Sequence, residues 1–363
     1  MTTTTELIDY VYAQPAMLKE IVNNRKELLK SFMDGFLKNN VSRIIFTGSG
    51  SSYNAAMSSR HFIEKTLQVE VQVEFAHTFA QYSCVYDKQT LVFALSQSGE
   101  STAAVECVQK ANELGLFTVA VTSQEGSLIT EFAQNQIIVP SGEEKAGATT
   151  KGFTATTLTL YLMAIETAYA ANKLEESEYN RYIQTLLSII DNMKNTIAAA
   201  EAWYNEHKDE LLEAKSYVFS GTGDLYGTAM EAGLKFLETS RIPVSIYEFE
   251  EFMHGPYNAI DENSYIFYFA DPGQDYERML TLADYFAKIT PHGFVVTKSS
   301  DQPRPGSLSP EFINDPDLAP IEYIVPMQVL FFRAAKERGV NMRTPRYVDF
   351  HPSMKSKRRL RFL

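Results

Sequence analysis

Cysteine is scarce in this chain, with only Cys84 and Cys107 among 363 residues. Two cysteines at that spacing build neither a disulfide framework nor a metal knuckle. They read as reduced packing residues of a cytoplasmic protein. No apolar run approaches the roughly 20 residues that a membrane span needs. The first residues, MTTTTELIDY, have no basic stretch leading into an apolar core and do not read as a signal peptide. Positive charge is short too: 33 Lys and Arg face 45 Asp and Glu, for a net charge of −12. That balance argues against nucleic acid as a partner. None of His61, His77, His207, His254, His292 and His351 falls at an HxxxH or HExxH spacing, so no metal site is expected. The P-loop pattern is also missing. The basic run at residues 355–361, KSKRRLR, is the exception to the acidic balance. It reads as a helix end or subunit contact rather than a nucleic-acid arm.

What is present is a globular composition, 45% hydrophobic and 21% charged, over a length suited to about two domains. The first ~40 residues place Tyr10, Tyr12, Met17, Leu18, Ile21, Leu28 and Leu29 near helical spacing. Gln14-Pro15 is expected to break this segment into two pieces. The chain then repeats itself. Residues 44–57, IIFTGSGSSYNAAM, align without a gap on residues 217–230, YVFSGTGDLYGTAM. Gly48 falls on Gly221, Gly50 on Gly223, Tyr53 on Tyr226 and Met57 on Met230. Further on, residues 90–96 align with 265–271, and residues 117–123 with 294–299. Strands alternating with helices imply parallel sheets covered on both faces. A long helical stretch, about residues 153–214, separates the halves. The expected division is a helical segment at 1–40, domains at 41–195 and 196–345, and a tail at 346–363.

The strongest local signal is LVFALSQSGES, residues 91–101. An apolar run, as in a buried parallel strand, stops at a small polar loop, and a helix follows from Thr102. Loops at the C-terminal ends of such strands are where open α/β sheets bind ligands. Hydroxyls of Ser96, Ser98 and Ser101, with the free N–H groups of the next helix, make a phosphate cradle that has no lysine. The competing reading is a polar helix start with Ser98 simply as its cap. The two Gly-x-Gly turns do not complete a dinucleotide fingerprint. GSGSSYNA lacks its third glycine, and in GTGDLYGT Gly227 comes one residue late. Residues 69–75, VEVQVEF, supply only a mid-strand alternation where an acidic cap is needed. No cofactor is therefore expected.

In combination, GSGSSYNA, LSQSGES, ATTKGFT (148–154), MEAGLKFLE (230–238) and EEFMHGP (250–256) resemble the sugar isomerase (SIS) family. They are most similar to the isomerase half of glucosamine-6-phosphate synthase. The resemblance implies an α/β fold of two tandem SIS domains, each a parallel sheet sandwiched between helices. It implies a sugar phosphate held by Ser96, Gln97, Ser98, Ser101 and Ser52, in a cleft lined by Gly50, Ser51, Tyr53, Thr149 and Lys151. It makes Glu238 the proton-transfer carboxylate between C1 and C2, with Lys235 assisting. His254 becomes the acid/base that opens the sugar ring, reaching into the neighbouring subunit of a homodimer. The residues alone show that Glu231, Lys235 and Glu238 share a helical face. Glu231 with Lys235 could equally be a surface ion pair, and a histidine before Gly-Pro could be a turn residue.

Two departures from the family bear on the reaction. The synthase starts with a glutaminase domain whose nucleophile is an N-terminal cysteine, whereas here the first cysteine is Cys84. Release of ammonia from glutamine is not expected. The family also carries an imine-forming lysine shortly after a Pro-Arg pair; after Pro345-Arg346 that place falls on Phe350. Lys355, Lys357 and His351 are nearby but out of register. The expected substrates thus already bear nitrogen: an amino-sugar 6-phosphate, deaminated, or a fructosamine 6-phosphate, deglycated. A sugar-phosphate sensor without turnover and a plain phosphosugar isomerase are the alternatives.

Overall fold

The structure, a computed structural model, describes residues 6–144, 147–271, 273–300 and 304–358. Among these residues the strands form two wholly parallel sheets with helices between successive strands. The first contains β1 (Arg43–Gly48), β2 (Glu70–Phe75), β3 (Thr90–Leu95), β4 (Phe117–Thr122) and β5 (Asn135–Ile138), in the order β2-β1-β3-β4-β5. The second contains β6 (Tyr217–Gly221), β7 (Val244–Glu248), β8 (Tyr265–Phe269) and β9 (Gly293–Val296), in the order β7-β6-β8-β9. Both begin in the middle, step one way, then return past the start. The duplication read from the sequence is thus a duplication of topology. In such sheets the crevice where the strand order reverses, at the C-terminal edge, is the ligand-binding position. Here it lies between the ends of β1 and β3, and again between those of β6 and β8.

The central strands are apolar throughout because both faces are covered. Every residue of β3 and of β8 is buried. Leu91, Val92, Phe93 and Leu95 sit between helices on either side, as do Ile266, Phe267 and Phe269. Such strands carry no alternation to fix their register, and the alignment of residues 90–96 on 265–271 slips by one. Ile44 pairs with Leu91, and its counterpart Tyr217 pairs with Tyr265. The equivalent of Ser96 is therefore Ala270. Ser96 N donates to Val121 O at 2.9 Å, and Ala270 N donates to Val296 O at 3.0 Å.

Gln14-Pro15 does not break the first helix, which runs unbroken from Leu7 to Lys38. Proline leaves the carbonyl four residues back without its donor. Here the side chain of Gln14 fills that gap, its Nε2 donating to Val11 O at 3.3 Å and to Gln328 Oε1 at 2.6 Å. The helix Lys151–Ala170 is buried almost all round, as expected for one apolar on every side. A second long helix, Glu176–Glu213, completes the helical stretch between the sheets. Of the two cysteines, Cys107 packs as expected, and burial raises its thiol to about 12. Cys84 does not: it lies exposed in the loop before β3.

Two compact units interleave along the chain. One carries the second sheet and takes the residues up to Pro15, the stretch ending at Thr150, and Thr185–Arg343. The other carries the first sheet and takes Ala16–Glu144, Lys151–Gln184 and the chain from Thr344 onward. These limits differ from the contiguous domains expected from sequence. Residues 346–358 of the tail group with the first sheet, which a boundary drawn along the chain has no means to show.

Candidate active site

In the unit of the first sheet, two loops meet at the crevice. After β1 the chain turns through Gly50, with φ 55°, into the short helix Ser51–Met57. A Cβ on Gly48 would stand 2.9 Å from Tyr53 N, so only glycine lets this helix start so close to the strand. The Tyr53 ring stacks on Phe75, centroids 4.3 Å apart, and burial raises the pKa of its hydroxyl. Ser51 and Ser52 occupy the first turn of that helix. After the neighbouring strand β3 comes the serine loop. Gly99 N donates to Ser96 O at 2.9 Å, and Gly99 adopts φ +66°. A Cβ there would run into Ser127, so the loop needs a glycine twice over.

Ser101, not Ser98, is the N-cap of the helix Thr102–Glu113, and its hydroxyl makes no capping bond. Ser98 instead accepts a long 3.4 Å bond from Glu100 N within the loop. The cap reading therefore does not account for these serines. One expectation is corrected: not every N–H at the start of this helix is free. Thr102 N donates to Ser356 O of the tail at 3.0 Å.

Gln97 is held by a residue the sequence reading missed. Its Nε2 donates to Glu144 Oε2 at 3.4 Å. The same carboxylate accepts from Lys151 N at 3.1 Å and Gly152 N at 3.0 Å, capping the helix Lys151–Ala170. One buried-edge carboxylate thus ties the serine loop to Lys151. Gln97, Ser98, Ser101, Ser52, Tyr53 and Lys151 are all brought into one unit. Thr149 belongs to the other unit.

In the unit of the second sheet, the helix Gly223–Ser240 carries the candidate chemistry. Glu231 and Lys235 are nearly inaccessible, with side chains 1% and 4% exposed, whereas Glu238 is 37% exposed. Lys235 Nζ stands 2.6 Å from Glu238 Oε2 and 3.8 Å from Glu231 Oε1. Glu231 and Lys235 are therefore not a surface ion pair. Glu238 lies in the last turn of its helix, where the macrodipole disfavours an anion. The buried ammonium offsets that cost and leaves the carboxylate facing outward. Glu231 is a further member of the cluster that the site assignment had left out.

His254 follows the short helix Phe249–Phe252, just before Gly255, whose φ is +129°. Its imidazole is 65% exposed, and among the described residues its Nε2 lies 3.9 Å from Glu250 Oε1. Glu250 is itself paired with Arg278 at 2.8 Å. Among the described residues no hydrogen bond or ion pair joins His254 to Glu238 or Lys235. At the second crevice Asp271 takes the place of Gln97, and burial, then Asp275 and Asp224, raises its pKa to about 6. That loop has an acid where the first has amide and hydroxyl groups.

Two parallel sheets of this order, each flanked by helices, fit a pair of SIS domains. The SIS domain family matches residues 38–166 and 210–303, and the chain belongs to that family. It is 29% identical over 348 residues to the glutamine–fructose-6-phosphate aminotransferase (isomerizing) of Pyrococcus horikoshii, covering 94% of this chain and 56% of that protein. The enzyme of the same name from Thermococcus kodakarensis is 25% identical over 345 residues, again covering 94% and 56%. The chain thus spans about half the length of these relatives. A solved structure from Clostridium difficile, of a protein provisionally named a phosphosugar isomerase, superposes with a TM-score of 0.90 at 30% identity. The match covers 98% of this chain and 99% of that one. Glucosamine-6-phosphate deaminase of Thermotoga maritima shares the fold, with a TM-score of 0.73 at 21% identity over 94% of this chain and 98% of its own. No helix among the described residues is long and apolar enough to cross a membrane.

Proposed function

We propose that this chain is an enzyme that moves a proton between C1 and C2 of an amino-sugar 6-phosphate or a fructosamine 6-phosphate, releasing the amine. The observation that carries this reading is the Glu231–Lys235–Glu238 cluster. Moving a carbonyl or imine between adjacent carbons needs one group that takes a proton from one carbon and returns it to the next. Glu238 is exposed enough to meet a substrate and is held in place by an ammonium 2.6 Å away. Lys235 is buried against Glu231 and stabilises negative charge developing on the substrate oxygen.

With a fructosamine 6-phosphate, Glu238 takes a proton from C1, giving an enaminol, and returns it to C2. The product is an imine at C1, which water hydrolyses to hexose phosphate and free amine. With glucosamine 6-phosphate the proton moves from C2 to C1. The imine then lies at C2, and hydrolysis releases ammonia and a ketose phosphate. His254 opens the ring, and its exposure supports a role in the site of the partner subunit of a homodimer. The hydroxyls of Ser52, Ser96, Ser98 and Ser101, with Gln97, hold the phosphate. Phe350 at the family's imine-forming position favours substrates that bring their own nitrogen, and the residue is 55% exposed. The scarcity of cysteine fits a cytoplasmic enzyme.

The test is a screen of 6-phosphorylated amino sugars and fructosamines, reading free amine and hexose phosphate together. Equal release of both from at least one compound is expected. Interconversion of fructose 6-phosphate and an aldose phosphate, with no amine released from any compound, would leave a plain isomerase. Tight binding of a sugar phosphate with no turnover at all would leave a sensor.

A further inference from the structure

The proton-transfer chemistry leaves the basic tail unexplained. Residues 359–361 of that run lie outside the described residues, but 355–358 are placed. The helix Phe350–Met354 ends at Lys355 in the left-handed conformation, with φ 49°. The chain then runs antiparallel to the serine loop. Thr102 N donates to Ser356 O at 3.0 Å, and Arg358 N donates to Glu100 O at 3.0 Å. Thr102 Oγ1 donates to Lys355 O at 2.7 Å. The Arg358 guanidinium adds an ion pair to Glu106 at 3.1 Å. Between these bonds, Ser101 and Lys357 stand opposite one another as an isolated bridge.

The two backbone bonds flank that pair rather than join it. This is the non-hydrogen-bonded kind of antiparallel pair, in which Cα atoms are about 4.5 Å apart and side chains share a face. The side chain of Lys357 therefore leaves the tail on the same side as the Ser101 hydroxyl, which is not used as a cap. Lys357 is half-buried, and its ammonium makes no hydrogen bond or ion pair among the described residues. Glu106 holds Arg358, and Glu100 is buried, its Oε1 accepting from Leu128 N while its Oε2 has no hydrogen-bond partner among the described residues. A lysine fixed by its backbone beside an unused hydroxyl, with no ion pair among the described residues, is placed for an external anion.

Resting on the reading of residues 96–101 as the phosphate site, we infer that Lys357 supplies the cation that the serine loop lacks. It binds the substrate's phosphate monoester beside Ser101, so the C-terminal tail is part of the binding site. In a chain of net charge −12, one local cation raises affinity for a dianion and makes binding sensitive to salt.

The experiment titrates the full chain with inorganic phosphate and with glucosamine 6-phosphate, at low and at high salt. Lys357→Met, which keeps the stem and removes the charge, is expected to weaken both ligands about tenfold at low salt, or about 1.4 kcal/mol. It should flatten the salt dependence and leave the thermal midpoint unchanged, since no partner among the described residues is lost. Lys357→Arg should restore most of the affinity. Ser98→Ala separates the two ideas. If Ser98→Ala weakens binding and Lys357→Met does not, the inference is overturned while the phosphate site stands. If neither weakens it, both fall. A lowered thermal midpoint in Lys357→Met that Lys357→Arg fails to correct makes the residue a tail anchor, and also overturns the inference.

Discussion

Lys235 Nζ lies 2.6 Å from Glu238 Oε2 and 3.8 Å from Glu231 Oε1, so one buried ammonium serves both a buried carboxylate and an exposed one. Removing it takes the ammonium away from Glu231, whose side chain is 1% exposed. Lys235→Met is expected to destabilise the fold by about 3–5 kcal/mol, the cost of taking one partner from a buried ion pair. Adding Glu231→Gln should recover a large part of that loss. Urea midpoints of the two single variants and the double variant check this. Additive losses would show that the two side chains are not coupled.

Gly99 carries a different kind of constraint. Its positive φ costs a side chain roughly 1–2 kcal/mol, and a Cβ would also collide with Ser127. Gly99→Ala is expected to shift the serine loop and weaken sugar-phosphate binding at least about tenfold, or about 1.4 kcal/mol. Gly126→Ala, where a Cβ meets nothing, controls for the backbone term alone. Equal binding by the two variants would show that the collision does not matter.

The repeated Gly-x-Gly turns, the apolar runs and the helix after residue 101 were legible because each obeys a local rule: close packing, burial on both faces, a polar loop before a helix. The face shared by Glu231, Lys235 and Glu238 followed from helical spacing alone. Three things were not legible. The burial of Glu231 and Lys235 depends on what packs over that helix, so the same spacing fitted a surface pair. The register of β8 was open because YIFYF is buried on both faces and has no alternation. The pairing of Lys357 with Ser101 brings together residues 256 positions apart in number (357 − 101) through backbone bonds of their neighbours, and backbone bonding leaves no residue-type signature. Gln14 shows the same limit on a small scale: a side chain stood in for the bond that Pro15 removed.

Glu322 gives the second unit a pH dependence. Its carboxylate accepts from Ile313 N and Asn314 N, each at 2.7 Å, yet burial dominates and raises it from 4.5 to about 7. Between those values the folded protein holds a proton that the unfolded chain has already released. Stability therefore falls as pH rises through that window. From pH 5 to 7.5, the wild type is expected to lose on the order of 2 kcal/mol more than Glu322→Gln. Denaturant unfolding of both proteins at the two pH values measures it. Parallel slopes would mean that Glu322 does not titrate there.

The central claim is that Glu238 carries the proton between C1 and C2. The most direct test is turnover in deuterium oxide, following isotope in the hexose phosphate and amine in solution, for the wild type and Glu238→Gln. Because Glu238 is partly exposed, the substitution should change stability by less than about 1 kcal/mol and leave phosphate binding intact. The wild type is expected to release amine and place deuterium at C2 of the product from a fructosamine 6-phosphate, or at C1 from glucosamine 6-phosphate. Glu238→Gln should slow both by at least about a hundredfold. Amine release and deuterium incorporation by Glu238→Gln at the wild-type rate would contradict the account.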